Sequence, residues 1–250
     1  MTPLPNPPPQ GGREQTERAA RISIIIPVLN EAATIVAALE ALAPLRARGT
    51  EIIVVDGGSA DDTAALAKPL TDFVITSARG RAVQMNAGAG VARGDVLLFL
   101  HADTRFPKDA DRLILDGLAR SKRAWGRFDV AIEGAHPLLP VIAATMNLRS
   151  RLTGISTGDQ AMFVTREAFD SVGGFPEIVL MEDIAFARNL KRVSRPLCLS
   201  ACVTTSGRRW KQHGVLRTIL LMWRLRLAYF FGAKPEVLAK RYGGAPTDAA

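Results

Sequence analysis

The sequence predicts an α/β protein with a mostly parallel central sheet flanked by helices. Two observations support this fold class. Strongly apolar runs at 22–26, 51–56 and 95–100 are each followed by polar residues and then by a helical pattern. The runs also lack polar alternation, as is typical of strands that are covered on both faces. This order of strand, loop and helix is Rossmann-like, and a chain that is 48% hydrophobic can bury such a core.

The predicted elements follow in chain order. In the first half, each predicted strand is followed by a predicted helix. The strands are 22–26, 51–56, 73–76 and 95–100, and the helices that follow them are 32–45, one that begins near 61, 81–92 and 108–121. The second half is less regular: strands 124–132, 160–165 and 197–204, and helices 138–152, 166–172 and 183–193. We therefore expect the most regular part of the sheet in the first half.

Composition divides the chain into three parts. Residues 1–20 are rich in proline and have no apolar run, which predicts a disordered tail and neither a signal peptide nor a membrane anchor. Residues 21–212 form the predicted main domain, and residues 213–250 a C-terminal amphipathic helical extension. Cys198 and Cys202 suggest no disulfide framework, and we expect buried, inert thiols. These features predict a cytoplasmic protein.

The chain is basic, with 32 Lys and Arg against 24 Asp and Glu. Such a bias fits nucleic acid, an anionic membrane, or small anionic substrates such as sugar nucleotides. The first 100 residues contain no basic stripe, no interleaved aromatic residues and no nucleic-acid-binding motif. Nucleic acid is therefore not expected as a partner.

A helical pattern at 214–231 combines apolar and basic residues. Its apolar positions are Leu216, Ile219, Leu220, Trp223, Leu227 and Phe230. Arg217, Arg224 and Arg226 interrupt them and exclude a transmembrane span. Two interpretations stay open: the helix packs its apolar side on the domain, or it contacts a partner or an anionic membrane at the inner face.

Polar residues follow the predicted strands at their carboxyl ends, where open α/β sheets bind ligands. They are Asn30, Glu31, Asp56, His101 and Asp103. Asn30 and Glu31 would equally suit a helix start. Asp56 ends a buried strand and precedes two glycines, so its carboxylate suits a hydrogen bond from a base or ribose.

Two further acidic segments suit chemistry at a phosphate. Asp103 is either part of a turn before Pro107 or a ligand of a hard divalent cation that neutralises a leaving diphosphate. Glu182 and Asp183 begin a predicted helix. They either favour the helix dipole or provide a general base that deprotonates an attacking hydroxyl group.

Five segments in this order resemble the motifs of family 2 glycosyltransferases. They are IIPVLNE (25–31), VVDGGS (54–59), GRAVQMNAG (80–88), DVLLFLHAD (95–103) and ED (182–183). The similarity covers roughly residues 22–210 and is strongest to a bacterial branch named radical-SAM/selenodomain-associated glycosyltransferases.

The resemblance implies a GT-A fold and inverting transfer of a sugar from a nucleotide-diphosphate donor to an acceptor hydroxyl group. It implies Asp183 as the base and Asp103 as a ligand of Mn²⁺ or Mg²⁺. The implied donor contacts are Pro27, Asn30, Glu31, Asp56, Arg81, Asn86, His101 and Ala102. The acceptor, whether lipid, glycan or small molecule, is not specified.

The sequence departs from the family pattern at two places. His101 replaces the first aspartate of the Asp-x-Asp motif, and Ser206 stands where processive members have glutamine before Arg-Trp. With no transmembrane helix, single-sugar transfer is favoured over polymer synthesis. His213 is either a further metal ligand or an exposed histidine at a helix start. The rival functions are a nucleotidyltransferase and a non-catalytic sugar-nucleotide-binding protein.

Overall fold

The computed structural model describes residues 20–242, without the side chains of Arg209 and His213. The predicted tail therefore lies outside the described residues, apart from Ala20. The strands are β1 (Ile22–Val28), β2 (Glu51–Asp56), β3 (Phe73–Thr76), β4 (Val96–Phe99), β5 (Thr104–Arg105), β6 (Trp125–Glu133), β7 (Phe163–Thr165) and β8 (Leu197–Ser206). The helices are α1 (Ile35–Ala47), α2 (Thr63–Ala67), α3 (Arg81–Val91), α4 (Ala110–Ser121), α5 (Leu139–Thr153), α6 (Arg166–Ser171), α7 (Glu182–Leu190), α8 (Arg208–His213), α9 (Val215–Phe230) and α10 (Pro235–Tyr242), with 3₁₀ turns at Lys68–Leu70 and Gly158–Gln160.

The described strands form one mixed sheet in the order β3-β2-β1-β4-β7-β6-β8-β5. Strands β3, β2, β1 and β4 are parallel, as the strand–helix alternation predicts. Strand β7 runs antiparallel to both β4 and β6, and β8 is again parallel to β6. The predicted α/β class is confirmed, and β7 runs in the opposite direction to the strands on both sides of it.

Two apolar layers explain why β1 is apolar without alternation. Ile24 and Ile26 face the layer that includes Leu39 of α1, while Ile25 faces the layer that includes Phe186 of α7. Successive side chains of a strand point to opposite faces, so a strand between two helical layers buries every residue. Each fully buried isoleucine contributes about 1.5–3 kcal/mol of apolar burial.

Proline is tolerated in β1 because of where its nitrogen points. The carbonyl of Val28 accepts the N–H of Gly57 just past β2, and the carbonyl of Ile25 accepts the N–H of Leu100 just past β4. Odd-numbered residues of β1 therefore face β4. The register with β4 ends at Ile25, so Pro27 interrupts no ladder bond.

The expectation of buried thiols is wrong for Cys202, which is exposed, while Cys198 is half-buried. Both lie in β8, and the only described strand beyond β8 is the two-residue β5, which pairs with Thr204 and Thr205. The preceding part of β8, which carries both cysteines, is thus an edge among the described strands.

Helix α9 packs on the domain through a different face from the one its apolar residues suggest. Leu225 is buried with Met181 and Ile184, at the start of α7, and with Leu238 of α10. The apolar side chains of Leu216, Leu220, Trp223, Leu227 and Phe230 are exposed. Among the described helices, none has the length and apolarity to cross a membrane.

Candidate functional site

The carboxyl ends of β1 and β2 are joined by a network centred on Asp56. Its buried carboxylate accepts hydrogen bonds from the backbone N–H of Ser59, 3.1 Å away, and from the Ser59 hydroxyl group. The same hydroxyl accepts the N–H of Asn30 at 2.9 Å, and the Asn30 side-chain oxygen accepts the N–H of Ala60 at 2.8 Å. Asn30 has a φ of 55°, which asparagine tolerates better than most residues. The predicted neighbours Asn30 and Asp56 therefore belong to one structured loop pair.

Glu31 is buried beside this network. Its N–H donates to the Thr63 hydroxyl at 2.8 Å, and its carboxylate accepts the Thr34 hydroxyl. Arg208 of α8 lies 3.7 Å from the same carboxylate. Glu31 thus connects the β1 loop to helices α2 and α8, which is a structural contact beside the expected donor site.

Gln84 holds the two strand ends together, and the sequence analysis missed it. Its buried side-chain amide donates to the carbonyls of Val28 and Val55, each at 2.9 Å. A glutamine within a helical pattern carries no signal of such a contact. The close approach of Gly57, where a Cβ would lie 3.0 Å from the Gln84 amide, shows how tightly α3 packs on this edge.

Asn86, an expected donor contact, has its amide engaged elsewhere. The amide nitrogen donates to the carbonyl of Phe175, and the amide oxygen accepts the N–H of Phe175, both at 2.9 Å. This paired contact links α3 to the segment before α7. We therefore leave Asn86 out of the candidate donor site.

A small cleft brings together acidic, basic and aromatic residues from distant parts of the chain. It is lined by Arg81, Met85, Phe99, His101, Gly158, Met162, Phe175, Glu182 and Asp183. Three expected site residues, Arg81, His101 and Asp183, therefore share one cavity. Glu182 lies at its wall, 3.8 Å from the guanidinium of Arg81.

Asp183 is held in position by backbone donors. One carboxylate oxygen accepts the N–H of Gly158 at 2.9 Å, and the other accepts the N–H of Ile184 at 2.7 Å. Met181, two residues earlier and immediately before α7, has a φ of 69°, an unusual conformation for a buried methionine. Such strain costs on the order of 1 kcal/mol and is found where the surroundings impose a precise geometry.

Burial is the main cause that lowers the pKa of His101 to about 4, and the positive charge of Arg81 lowers it too. The carboxylates of Asp103 and Asp183 oppose this effect, so both lie within electrostatic reach of the imidazole. His101 is consequently neutral near pH 7. Its Nδ1 atom lies 3.8 Å from a carboxylate oxygen of Asp159.

Burial likewise raises the pKa of Glu182 to about 7. Repulsion from the adjacent Asp183 adds to the effect, and Arg81 opposes it. The two neighbouring acids are therefore in different environments: Glu182 is desolvated at the wall, and Asp183 is fixed by two N–H donors.

The remaining predicted residues lie close by in sequence or in the fold. Pro27 is buried in β1, and Ala102 is buried in the apolar layer, so a ligand would meet Ala102 only through its backbone. Asp103 is half-buried in a turn that the N–H of Thr104 closes onto the carbonyl of His101 at 3.1 Å. His213 ends α8, and its side chain lies outside the described part of the chain.

Within the described residues, no three His, Cys, Asp or Glu side chains converge closely enough to hold a metal ion by themselves. Mg²⁺ and related cations are commonly bound by one or two carboxylates, with substrate phosphates and waters as the other ligands. Asp103 and the neutral imidazole of His101 fit that kind of site. The donor chemistry is thus suited to a cation that arrives with a diphosphate.

Comparison with known proteins identifies the chain's relatives. Residues 23–172 match the family model described as glycosyl transferase family 2. A curated relative is the PGL/p-HBAD biosynthesis glycosyltransferase Rv2957 of Mycobacterium tuberculosis, which is 38% identical over 92 residues. That alignment covers 34% of this chain and 36% of the relative, and the same holds for the Mycobacterium bovis protein. The chain thus matches only about a third of the length of these relatives.

Solved structures share the fold at low sequence identity. Staphylococcus aureus TarS 1–349 has a TM-score of 0.61 and 19% identity, covering 75% of this chain and 60% of that one. Mannosyltransferase PcManGT of Pyrobaculum calidifontis, solved with GDP-Man and Mn²⁺, has a TM-score of 0.63 and 20% identity, covering 92% and 67%. Glucosyl-3-phosphoglycerate synthase of M. tuberculosis, solved with Mn²⁺ and UDP, has a TM-score of 0.56 and 20% identity, covering 74% and 71%. These likenesses confirm the predicted GT-A fold.

Proposed function

The chain belongs to glycosyl transferase family 2, and on this premise we propose that it transfers a single sugar from a nucleotide-diphosphate sugar to an acceptor hydroxyl group, with inversion. One observation carries the proposal. Asp183, fixed by the Gly158 N–H, shares a cleft with Arg81 and His101 at the edge of the sheet where Asp56 ends β2. The proposed base and the proposed phosphate-binding arginine thus lie at the strand ends where Asp56 is also found.

The nucleotide lies at the ends of β1 and β2. Asp56 accepts a hydrogen bond from the base or ribose, and Pro27, Asn30 and Glu31 shape the adjoining wall. Gln84 keeps the two strand ends in register beneath the ligand. Arg81, the first residue of α3, binds the diphosphate.

Asp103 and His101 would hold a divalent cation that arrives with the donor's diphosphate. When bound, Mn²⁺ or Mg²⁺ neutralises the charge that develops on the leaving diphosphate. The related structures with Mn²⁺ support this proposal only through the shared fold. The buried backbone at Ala102 keeps the two candidate ligands in one turn.

Asp183 removes the proton of the attacking hydroxyl group. Each of its carboxylate oxygens has one backbone donor, which leaves a lone pair free to accept a further proton. Attack on the anomeric carbon from the side opposite the diphosphate inverts its configuration. Glu182 is less suited to this role because its side chain is buried in the cleft wall, where an acceptor hydroxyl group has less access to it.

The test begins with a panel of nucleotide sugars, each added with and without Mn²⁺, because a true donor raises the melting temperature by mass action. Release of nucleoside diphosphate from that donor then reports transfer to water or to added acceptors. We expect Asp183→Asn to keep the donor-induced shift and to lose most of the release, while the exposed control Asp170→Asn keeps both. Unchanged release by Asp183→Asn would refute the role as base.

A second variant tests the cation. Asp103→Ala should lose the part of donor binding and release that depends on Mn²⁺, and wild-type metal dependence in this variant would contradict the assignment. The products also separate the rival functions. A nucleotidyltransferase releases pyrophosphate, and a non-catalytic protein binds the donor without releasing anything.

We also propose that α9 rests on an anionic membrane at the cytoplasmic face. Its exposed residues include Trp223 (68% exposed) and Phe230 (78%), with Leu227 (60%) between them and Leu220 (61%) about one turn before Trp223. Exposed Arg217 and Arg224 on the same helix suit acidic lipid headgroups. Such a contact would bring a lipid acceptor near the cleft, because Leu225 packs on the start of α7.

Vesicle sedimentation tests this contact. Wild type should bind phosphatidylglycerol vesicles more than phosphatidylcholine vesicles, and Trp223→Glu should weaken that binding. Val193→Glu, at an exposed apolar position after α7, is the matched control. Equal binding by both variants would overturn the proposal.

A further inference from the structure

Three arginines have buried nitrogens that lack acceptors. Nε and Nη2 of Arg149 in α5, Nε of Arg226 in α9 and Nε of Arg127 in β6 donate to no acceptor among the described residues. Arg127 is nevertheless paired with the carboxylate of Asp129 through Nη1. Another arginine of α5 is paired: Arg151 donates to the carboxylate of Asp129 at 2.6 Å. Buried donors are rarely left unsatisfied in native proteins, and a missing anion is one physical explanation.

These arginines also lie close enough to influence each other. Burial lowers the pKa of Arg149 to about 10, and the positive charge of Arg226 is the next largest cause. Arg127 acts in the same direction, although it is paired with Asp129. The carboxylates of Asp183 and Asp159 act in the opposite direction. The two positive charges of Arg149 and Arg226 therefore lie near each other and are only partly balanced by nearby carboxylates, which favours a bound anion.

The fold places this pair next to the proposed base and away from the nucleotide. Helix α5 is anchored on β6, because the Asn147 amide makes two hydrogen bonds to the backbone of Val130, at 2.9 and 3.0 Å. Strand β6 lies three positions from β1 in the sheet. Next to Arg226, Leu225 packs against Met181 and Ile184, the residues that flank the two acids.

We propose that Arg149 and Arg226 form an anion subsite that binds a phosphate or carboxylate group of the acceptor. The assignment rests on the proposed function, because it places the acceptor on the far side of Asp183 from the donor. Guanidinium groups present several N–H donors in a planar fork that matches phosphate and carboxylate oxygens. The subsite would hold an anionic acceptor with its hydroxyl group directed at Asp183.

Inorganic phosphate is the probe for the test, with chloride at equal ionic strength as the reference. Phosphate should raise the melting temperature of the full-length wild-type protein in a saturable way. Arg149→Met should bind phosphate roughly thirtyfold more weakly. It should also melt at a higher temperature than wild type in phosphate-free buffer, because it removes an unpaired buried charge. Arg192→Met, at an exposed arginine, is the matched control and should behave as wild type.

Two outcomes would overturn the subsite. One is an equal phosphate effect in wild type and Arg149→Met. The other is an effect that Arg81→Met abolishes and Arg149→Met retains, since phosphate would then occupy the donor site. Vesicles containing phosphatidic acid give the lipid arm: if they stabilise the protein beyond the saturating effect of free phosphate, and Arg149→Met loses both effects, the phosphate group belongs to a lipid headgroup.

The donor panel distinguishes this failure from failure of the proposed function. Nucleotide-sugar stabilisation without any Arg149-dependent phosphate effect refutes the subsite and leaves sugar transfer standing. A phosphate effect that depends on Arg149, without nucleotide-sugar binding or release of nucleoside diphosphate, refutes acceptor binding by this pair together with the transfer reaction.

Discussion

Glu182 offers a quantitative test of the electrostatics of the cleft. Its side chain is 6% exposed, lies beside Asp183, and has one guanidinium group 3.8 Å away, that of Arg81. Burial raises the pKa of this carboxyl from 4.5 to about 7. The pKa of this carboxyl is higher in the folded than in the unfolded protein. Its protonated form therefore stabilises the fold fully below about pH 4.5, and this stabilisation is lost as the pH rises through 7.

The perturbation is Glu182→Gln, which keeps the shape of the side chain and removes its ionisation. Between about pH 5 and about pH 8, the two pKa values together imply that wild type loses about 2–3 kcal/mol that the variant does not lose. For a chain of this size, that difference corresponds to roughly 5–10 °C in melting temperature. The melting temperature of Glu182→Gln should thus increase relative to that of wild type as the pH rises.

The assay is thermal unfolding of both proteins, without nucleotide or metal, at several pH values across this range. Glu177→Gln is the control because Glu177 is exposed and lies five residues earlier, and its difference from wild type should stay flat. If the gap between Glu182→Gln and wild type were the same at every pH, Glu182 would not be desolvated as the structure implies, and the reasoning would be refuted.

Two further predictions concern α3. Gly88→Ala should destabilise the protein by about 1–3 kcal/mol, because its Cβ would lie 2.5 Å from Cγ2 of Ile25. Gly90→Ala has open space around it and should be neutral or stabilising by up to about 1 kcal/mol. Denaturant unfolding measures the free energy of unfolding of both variants. Asn86→Ala should cost about 2 kcal/mol by leaving the N–H and carbonyl of Phe175 without partners, and should leave donor affinity unchanged. Weaker donor binding at unchanged stability would instead support Asn86 as a ligand contact.

The parallel half of the sheet could be predicted because its signals are local. An apolar run such as 22–28 needs two covering layers, and the polar residues after it then lie at a sheet edge by topology. Asn30 and Asp56 were identified on this basis, and the structure joins them through Ser59. The acids at 182–183 were identified by resemblance and by their place at a helix start.

The contacts that hold the site together could not be predicted, since they join residues far apart in the chain. Asn86 and Phe175 are separated by 89 positions, and Gln84 and Val28 by 56. An amide in a helix has the same appearance in the sequence whether it meets a ligand, a backbone or solvent. The exposed face of α9 had the same ambiguity: its buried anchor, Leu225, is one leucine among several.

The change of direction at β7 is what completes the cleft. Leu98 of β4 pairs with Phe163 at the start of β7, and the N–H of Phe99 donates to the carbonyl of Met162. The residues just before β7 must therefore lie beside those just after β4, and a Cβ on Gly158 would indeed lie 2.5 Å from Nε2 of His101. A parallel β7 would carry Gly158 to the opposite end of the strands and leave Asp183 without the N–H of Gly158. Strand polarity is thus the feature that brings Asp183, the imidazole of His101 and the carboxyl ends of the parallel strands together, and no local pattern in the sequence specifies it.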